Sequence, residues 1–269
     1  MPTITQLPAA GALNGSEAIP TVQNGVTVQT TPSAMVRPYL VPLYHAASYE
    51  YGGTWDAAHD VGPAINAAIA DAAAAGGGTI LLPCGTYGLA TPIVNQTSGV
   101  NLVGGGVGIP RDNQGSANFK AVTKLLWIGA YSAGQVGLTW QTPTGGATLY
   151  NAGVWGVTVD GASNLDTGIL VNGVTHSWWY VGGAECRVTN IRWLQPDDQE
   201  SLGNQENEVW LYSRSTSSTY TPTGIRIDSG TVAPFNTSYN HFHMLYAWYH
   251  NGDGIVFGTS DTNLVDTIR

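Results

Sequence analysis

The chain has 269 residues, 43% hydrophobic and only 10% charged, so it holds enough apolar matter for a large core. Ordinary domains carry about a quarter charged residues. A net charge of −9, with Lys120 and Lys124 as the sole lysines, argues against nucleic acid and against an anionic membrane surface, since both are bound by clustered cations.

Met1 to Leu13 has neither a basic n-region nor an apolar h-region, and is expected not to be a signal peptide. Between Ile4 and Thr31 the text is proline-dotted and almost uncharged. Thr21-Val22-Gln23 and Val26-Thr27-Val28 flank Asn24-Gly25, the strongest short hairpin signal, because both turn positions need positive φ. Residues 1–34 are read as a small N-terminal module and 35–52, with Pro38 and Pro42, as an extended neck. Residues 53–269 form the main domain.

Asp60 to Ala75 predicts the one helix. Asp60 is the expected N-cap, Pro63 sits in the first turn, and Gly76-Gly77-Gly78 ends it. Ile65, Ala68, Ile69 and Ala72 make its apolar stripe. Thr79 to Leu82 then reads as a buried strand stopped by Pro83, with Gly85-Thr86-Tyr87 as a turn. Gly104-Gly105-Gly106-Val107-Gly108 shares glycines with nucleotide loops, but Ile109 stands where the third glycine would fall and Pro110 opposes a helix, so a plain turn is expected.

From Asn101 onward short strands recur. Gly168-Ile169-Leu170-Val171, Gly224-Ile225-Arg226-Ile227 and Gly254-Ile255-Val256-Phe257 repeat one pattern; the last two start 30 residues apart and the first two 56, which is twice 28. Such a period belongs to stacked repeats, and the absence of helical text between the strands argues against a wound α/β sheet. An all-β coil follows, its turns punctuated by Gly and Asn. Cys84 and Cys186 are expected as free buried thiols. The strand-like end at Asp266 to Arg269 carries no cap, so truncation is expected, with further coils and their chemistry beyond it.

The segment from Asp56 to Asn101 resembles the opening of the pectate-lyase superfamily, common in phage tail spikes. The matching elements are Ala64 to Ile69, Gly76 to Pro83, Gly85-Thr86-Tyr87 and Gly99 to Gly104. The resemblance implies a right-handed parallel β-helix whose N-terminal α-helix caps the coil. Ile4 to Ala9 with Val22 to Thr27 resembles the N-terminal module of phage tail fibres and spikes. That resemblance implies a homotrimer in the virion tail. Residues 1–34 would attach to other tail proteins, and the coil would bind, or bind and degrade, bacterial capsule or O-antigen outside the cell. It implies no cofactor. A purely adhesive virion protein and a bacterial polysaccharide hydrolase or lyase unrelated to virions are the alternatives.

Alternation in Glu206 to Tyr212 turns Val209 and Leu211 inward and Glu206, Glu208, Trp210 and Tyr212 outward. If Ile225 to Asp228 is the next rung, Arg226 and Asp228 join them. Carboxyls about 5–9 Å apart beside flat rings suit glycoside hydrolysis, one protonating the leaving oxygen while the other activates water or attacks. Glu206, Glu208 and Asp228 are therefore the candidate catalytic acids, and Trp210, Tyr212, Arg226 and Trp178 the candidate sugar contacts. The plainer reading makes them solvated positions and interface rings, and it is the favoured one. A lyase would need a base and a uronate-neutralising cation, which Arg187, Arg192, Arg214 or Arg226 would supply. His241-Phe242-His243 puts two imidazoles on one strand face near His250, but without an evident acidic or Cys ligand, so no metal is expected; Phe242 and Met244 are the expected inward pair. Trp178-Trp179-Tyr180 must expose at least one ring, to sugar or to a neighbouring subunit. Asp197, Asp198 and Glu200 read as a solvated loop. No G-x-S-x-G nucleophile elbow occurs.

Overall fold

The computed structural model describes residues 19–23, 26–30, 43–46, 53–107, 122–143, 146–194, 204, 206–216, 218–228, 239–248, 250–258 and 263–269. The chain divides into two units, Met1–Pro42 and Leu43–Arg269. In the first, strands β1 (Ile19–Gln23) and β2 (Val26–Thr30) pair antiparallel, with Gln23 opposite Val26, as the Asn24-Gly25 signal predicts. The turn residues themselves, the proline-rich stretch before Leu43, and Asp197, Asp198 and Glu200 lie outside the described residues.

The second unit is a stack of parallel coils. It opens with β3 (Leu43–His45), so part of the expected neck belongs to the coil. The helix α1 (Gly62–Ala74) follows, then a first coil of β4 (Gly78–Leu81), β5 (Gly85–Leu89) and β6 (Ile93–Asn95). The second coil holds β7 (Val100–Val103), β8 (Thr123–Trp127), β9 (Val136–Gln141) and β10 (Leu149–Tyr150). The third holds β11 (Val154–Asp160), β12 (Thr167–Asn172) and β13 (Val174–Thr175). Among the described residues the later coils have two strands each: β14 (Trp178–Ala184) with β15 (Thr189–Leu194), β16 (Glu208–Arg214) with β17 (Thr223–Asp228), and β18 (His241–Trp248) with β19 (Ile255–Phe257). The short β20 (Leu264–Val265) lies on β18.

Like residues stack on like through the core. One inward row runs Ile80, Leu102, Val154, Trp179, Val209, Phe242, in register across six strands. Another, on the second sheet, runs Ile93, Leu138, Ile169, Ile191, Ile225, Ile255. Adjacent strands sit about 4.8 Å apart, so each row is a continuous apolar ladder, and each fully buried Val, Ile or Leu contributes about 1.5–3 kcal/mol. The repeat spacing of 56 is resolved by Asn190-Ile191-Arg192-Trp193, a coil in which Asn takes the place of the motif glycine. At Gly224 a Cβ would meet the Gly254 carbonyl oxygen at 2.3 Å, which explains glycine there.

From the third coil onward one long strand serves two faces. β11 pairs with β7 through Val154 and Trp155, then with β8 from Val157. The bend falls at Gly156, whose φ of 70° and close approach to the Gly104 carbonyl exclude a side chain. Gly104 thus belongs to a close backbone crossing, consistent with the expected turn.

The stripe of α1 is buried against the first coils, and Ile65 and Ala68 are fully enclosed. The helix is two residues shorter at its start than expected, and Asp60 is not its N-cap. Val61 occupies that place without a side-chain cap. The Asp60 carboxylate instead accepts hydrogen bonds from the Gly62, Ala90 and Thr91 amides and the Thr91 hydroxyl, tying the helix entrance to the β5–β6 link. Burial opposes its ionised form, yet these bonds hold its carboxyl below the usual aspartate range. Gly85-Thr86-Tyr87 is the start of β5, not a turn, because Pro83-Cys84 already makes the corner. Cys186 is a free buried thiol, pushed up by burial; Cys84 is free but exposed.

A candidate carbohydrate-facing surface on the first sheet

The outward side of the sheet built by β4, β7, β11, β14, β16 and β18 carries a run of rings. Val103, Trp155, Tyr180, Trp210 and Met244 align in register, one per coil. Ring centroids lie 5.1 Å apart for Trp155 and Tyr180, 5.6 Å for Trp155 and Trp210, and 5.6 Å for Tyr180 and Tyr212. Tyr212 then meets Tyr246, which stacks on Trp248. Burial, with the neighbouring Tyr180, pushes the Tyr212 phenol up, so it stays a neutral donor at physiological pH.

At the entrance of the same strands lies a cleft of about 400 Å³, lined among others by Asn101, Asn151, Trp155, His176, Ser177 and Trp178. Trp178 is 69% exposed and Trp155 38%, whereas Trp179, next to Trp178 in the chain, is fully buried. The aromatic triplet therefore splits across the two faces as its alternation predicts. Ser177 and Asn101 bond their side-chain polar atoms to neighbouring backbone, so the cleft offers a ligand the exposed Asn151 amide and the indole surfaces of Trp155 and Trp178.

The entrance has an unusual backbone. Asn151, His176, Glu206 and Tyr239, each three residues ahead of a stacked core position, all have φ between 51° and 55°. A non-glycine residue held left-handed costs about 1–2 kcal/mol, and such strain gathers where side chains must be aimed. Glu206 is thus not on a strand, contrary to the alternation reading. It stands at this corner with Oε2 2.5 Å from His176 Nε2.

One residue on, polar side chains stack beneath the surface. Asn207 Oδ1 accepts from the Ser177 amide at 2.9 Å, while its amide nitrogen donates to the Val174 carbonyl and to Asn240 Oδ1, both at 2.8 Å. Asn240 passes the pattern to Asn263. This ladder fixes the residues that follow it: Trp178, Glu208, His241 and Leu264 are aligned in register.

Glu208, Trp210 and Tyr212 share the outer face as expected, with Val209 and Leu211 fully buried. Arg226 and Asp228 do not join them. β17 is the second-sheet strand of the same coil, and the strand that stacks on β16 is β18. The Arg226 guanidinium is bonded to the Asp228 carboxylate at 2.5 Å on that other sheet. The proposed pairing of Glu206 or Glu208 with Asp228 across one face is therefore not formed. Arg187 is stacked between Tyr131 and Tyr220, and none of the four candidate lyase arginines lines the cleft.

The histidine strand also differs from expectation. A bulge lies where β18 meets Val209 and Trp210, so Met244 aligns with outward Trp210 and Leu245, not Met244, follows Phe242 into the core. The bulged residue, His243, stacks on Trp210 with centroids 4.2 Å apart. Acidic neighbours are present after all. Glu208 Oε2 lies 3.3 Å from His241 Nδ1 and is bonded to His243 Nε2; Asp266 Oδ2 lies 2.8 Å from His241 Nε2 and 3.0 Å from His243 Nδ1. Bonds from His241, and from His243, hold the Asp266 carboxyl below the usual range. The signal for this cluster was a spacing of about one coil between Glu208, His241 and Asp266, not a local motif. His250 is held low by burial against the back of the coil, beside Ser213, and takes no part in it.

A family model described as rhamnogalacturonase A/epimerase, pectate lyase-like, matches residues 49–191. No curated protein matches the chain. Among solved structures the chain is similar to ORF18 of Geobacillus virus E2, with 19% identity and a TM-score of 0.61, covering 94% of this chain and 47% of that one. The chain thus spans about half the length of that protein. It is also similar to DFA-IIIase from Arthrobacter chlorophenolicus A6, at 17% identity, TM-score 0.43 and coverages of 84% and 69%. A third is the mannuronan C-5 epimerase AlgE6 A-module of Azotobacter vinelandii, at 16% identity, TM-score 0.39 and coverages of 82% and 68%. At 19% identity the likeness to ORF18 is one of fold.

Proposed function

The chain belongs to the rhamnogalacturonase A/epimerase, pectate lyase-like family, and from that premise we propose that it is a tail-spike protein binding bacterial surface polysaccharide on the outer face of its first sheet. The observation that carries the reading is the unbroken run of Trp155, Tyr180, Trp210 and Tyr212 beside a cleft walled by Trp178 and the exposed Asn151 amide. Sugars present apolar C–H faces and hydroxyl rims, and rings flanked by an amide match both. A strand ladder repeats that match about every 4.8 Å per coil, which suits an extended chain of residues better than a single small ligand. Virion attachment through residues 1–34 and assembly as a homotrimer rest on the sequence resemblance of Ile4 to Ala9 and Val22 to Thr27 to spike modules.

Cleavage is the second reading, and one observation favours it. Glu206 is aimed from a left-handed corner and held by His176, which lines the cleft. In that reading Glu206 and Glu208 supply the acid and the base or nucleophile, without Asp228. The test is incubation with a panel of purified capsules and lipopolysaccharides, reading both retained glycan and new chain ends. Retention of one polysaccharide, lowered by Trp178→Ala, is expected. New reducing ends lost in Glu206→Gln would establish hydrolysis, and unsaturated ends a lyase. A protein that retains no glycan from any panel that includes its host would overturn the proposal.

A further inference from the structure

We infer that Glu208, His241 and His243 form a binding site for a divalent transition-metal ion of the zinc type, with Asp266 orienting its imidazoles. The ligand atoms of the three residues lie within 4.8 Å of one another, drawn from β16 and β18 on the outer face. Asp266 Oδ2 faces His241 Nε2 at 2.8 Å and His243 Nδ1 at 3.0 Å. An ionised carboxylate only accepts, so both of those ring nitrogens carry their hydrogen. In the neutral rings the remaining nitrogens, His241 Nδ1 and His243 Nε2, present lone pairs, and both face Glu208 Oε2. Those lone pairs and the Glu208 carboxylate face one another only if a second proton on each ring or a metal cation lies between them, and the three ligand atoms are close enough to share one ion.

The arrangement has the form that metal sites use. Imidazole ligands commonly donate their second ring N–H to a carboxylate, which fixes the tautomer and raises the ligand's basicity. Here one carboxylate does so for both rings. A tetrahedral ion with bonds of about 2.0–2.1 Å sets neighbouring donors about 3.3–3.4 Å apart. His241 Nδ1 and Glu208 Oε2, at 3.3 Å, already have that separation, whereas His243 Nε2 is hydrogen-bonded to Glu208 Oε2 and must draw back to admit an ion. The rings are further held by Trp210 stacking on His243 and by the Asn207–Asn240 pair immediately before Glu208 and His241. Glu208 is 43% exposed, which leaves a fourth position to water or an incoming oxygen ligand. Two His and one Glu with an open position is a donor set for Zn²⁺ or another borderline ion rather than for Ca²⁺. Glu208 engaged as a ligand is no longer available as base or nucleophile, so an occupied site excludes the two-glutamate cleavage reading and leaves polysaccharide binding untouched.

The test is calorimetric titration of Zn²⁺ into full-length protein stripped with a chelator and dialysed. One saturable equivalent per chain is expected. His241→Ala and His243→Ala should each weaken it at least about 100-fold, and Asp266→Asn about 10–100-fold as an orienting partner. His59→Ala, on a surface pair with Asp56 near the start of the coil, should leave it unchanged. A variant-free readout is the histidine ring resonances of the wild-type chain: two of the six should move on adding Zn²⁺. No saturable equivalent, or binding that survives both His variants, overturns the inference. So do resonances that respond to pH and ignore Zn²⁺, the result if a proton alone sits between the acceptors.

Discussion

Replacing Asn207 by alanine should destabilise the coil far more than the loss of one polar side chain suggests. Asn207 is 1% exposed and serves three partners: the Ser177 amide, the Val174 carbonyl and Asn240 Oδ1. Each buried group that loses its partner costs about 1–3 kcal/mol, so the substitution should cost about 3–6 kcal/mol after partial relaxation. Urea unfolding followed by tryptophan fluorescence would read this as a lower midpoint at unchanged slope. Asn207→Asp sharpens the test. Its first oxygen still accepts from Ser177, but its second faces two acceptors, so burial and lone-pair repulsion must raise the carboxyl's pKa. A raised carboxylate pKa means stability is fullest at low pH and falls as pH rises through that value. The aspartate variant should therefore recover stability on acidification while the alanine variant does not. An alanine variant within 1 kcal/mol of the parent would refute the claim that a polar ladder, not the apolar rows alone, holds the corner from which Glu208 and His241 project.

Trp179→Ala should cost about 3–5 kcal/mol, because the ring is fully buried and packs edge-on against Trp193; the same unfolding experiment reads it. Trp178→Ala, one residue away but exposed, should leave the midpoint within about 0.5 kcal/mol while lowering glycan affinity by about tenfold or more. Asp60→Asn should lower stability by about 1.5–3 kcal/mol through weakened bonds to the Ala90 and Thr91 amides. Since the folded carboxyl lies below the unfolded value of about 3.9, the stability it supplies is present at neutral pH and fades as pH falls through the folded value. Acid titration of the parent and the variant should therefore converge below that range.

The apolar rows were legible because burial on one face imposes a period of two within a strand and a constant step between coils. Val209 and Leu211, or Ile225 and Ile255, declare themselves that way. The coil count was harder, since Asn190 replaces the motif glycine and hid one repeat. Ile225 to Asp228 is not the rung after Glu206 to Tyr212, for a different reason. Two strands of one coil look alike in sequence, and only the spacing of about 30 residues separates neighbours in the stack from neighbours in the chain. That same long step concealed the acidic partners of His241 and His243, and the bulge at His243 moved Met244 outward in a way that strict alternation cannot foresee. The Ser177, Asn207, Asn240 ladder was open to the same reading: polar residues one coil apart, each before an outward aromatic, acid or histidine.

The most direct test is a crystal structure of the protein with an oligosaccharide cut from the polysaccharide that it retains. Sugar rings lying against Trp178 and Trp155, with a hydroxyl on Asn151, are the predicted outcome. Glycan bound instead over the second sheet, around Arg226 and Asp228, with the Trp155 face bare, would contradict the account.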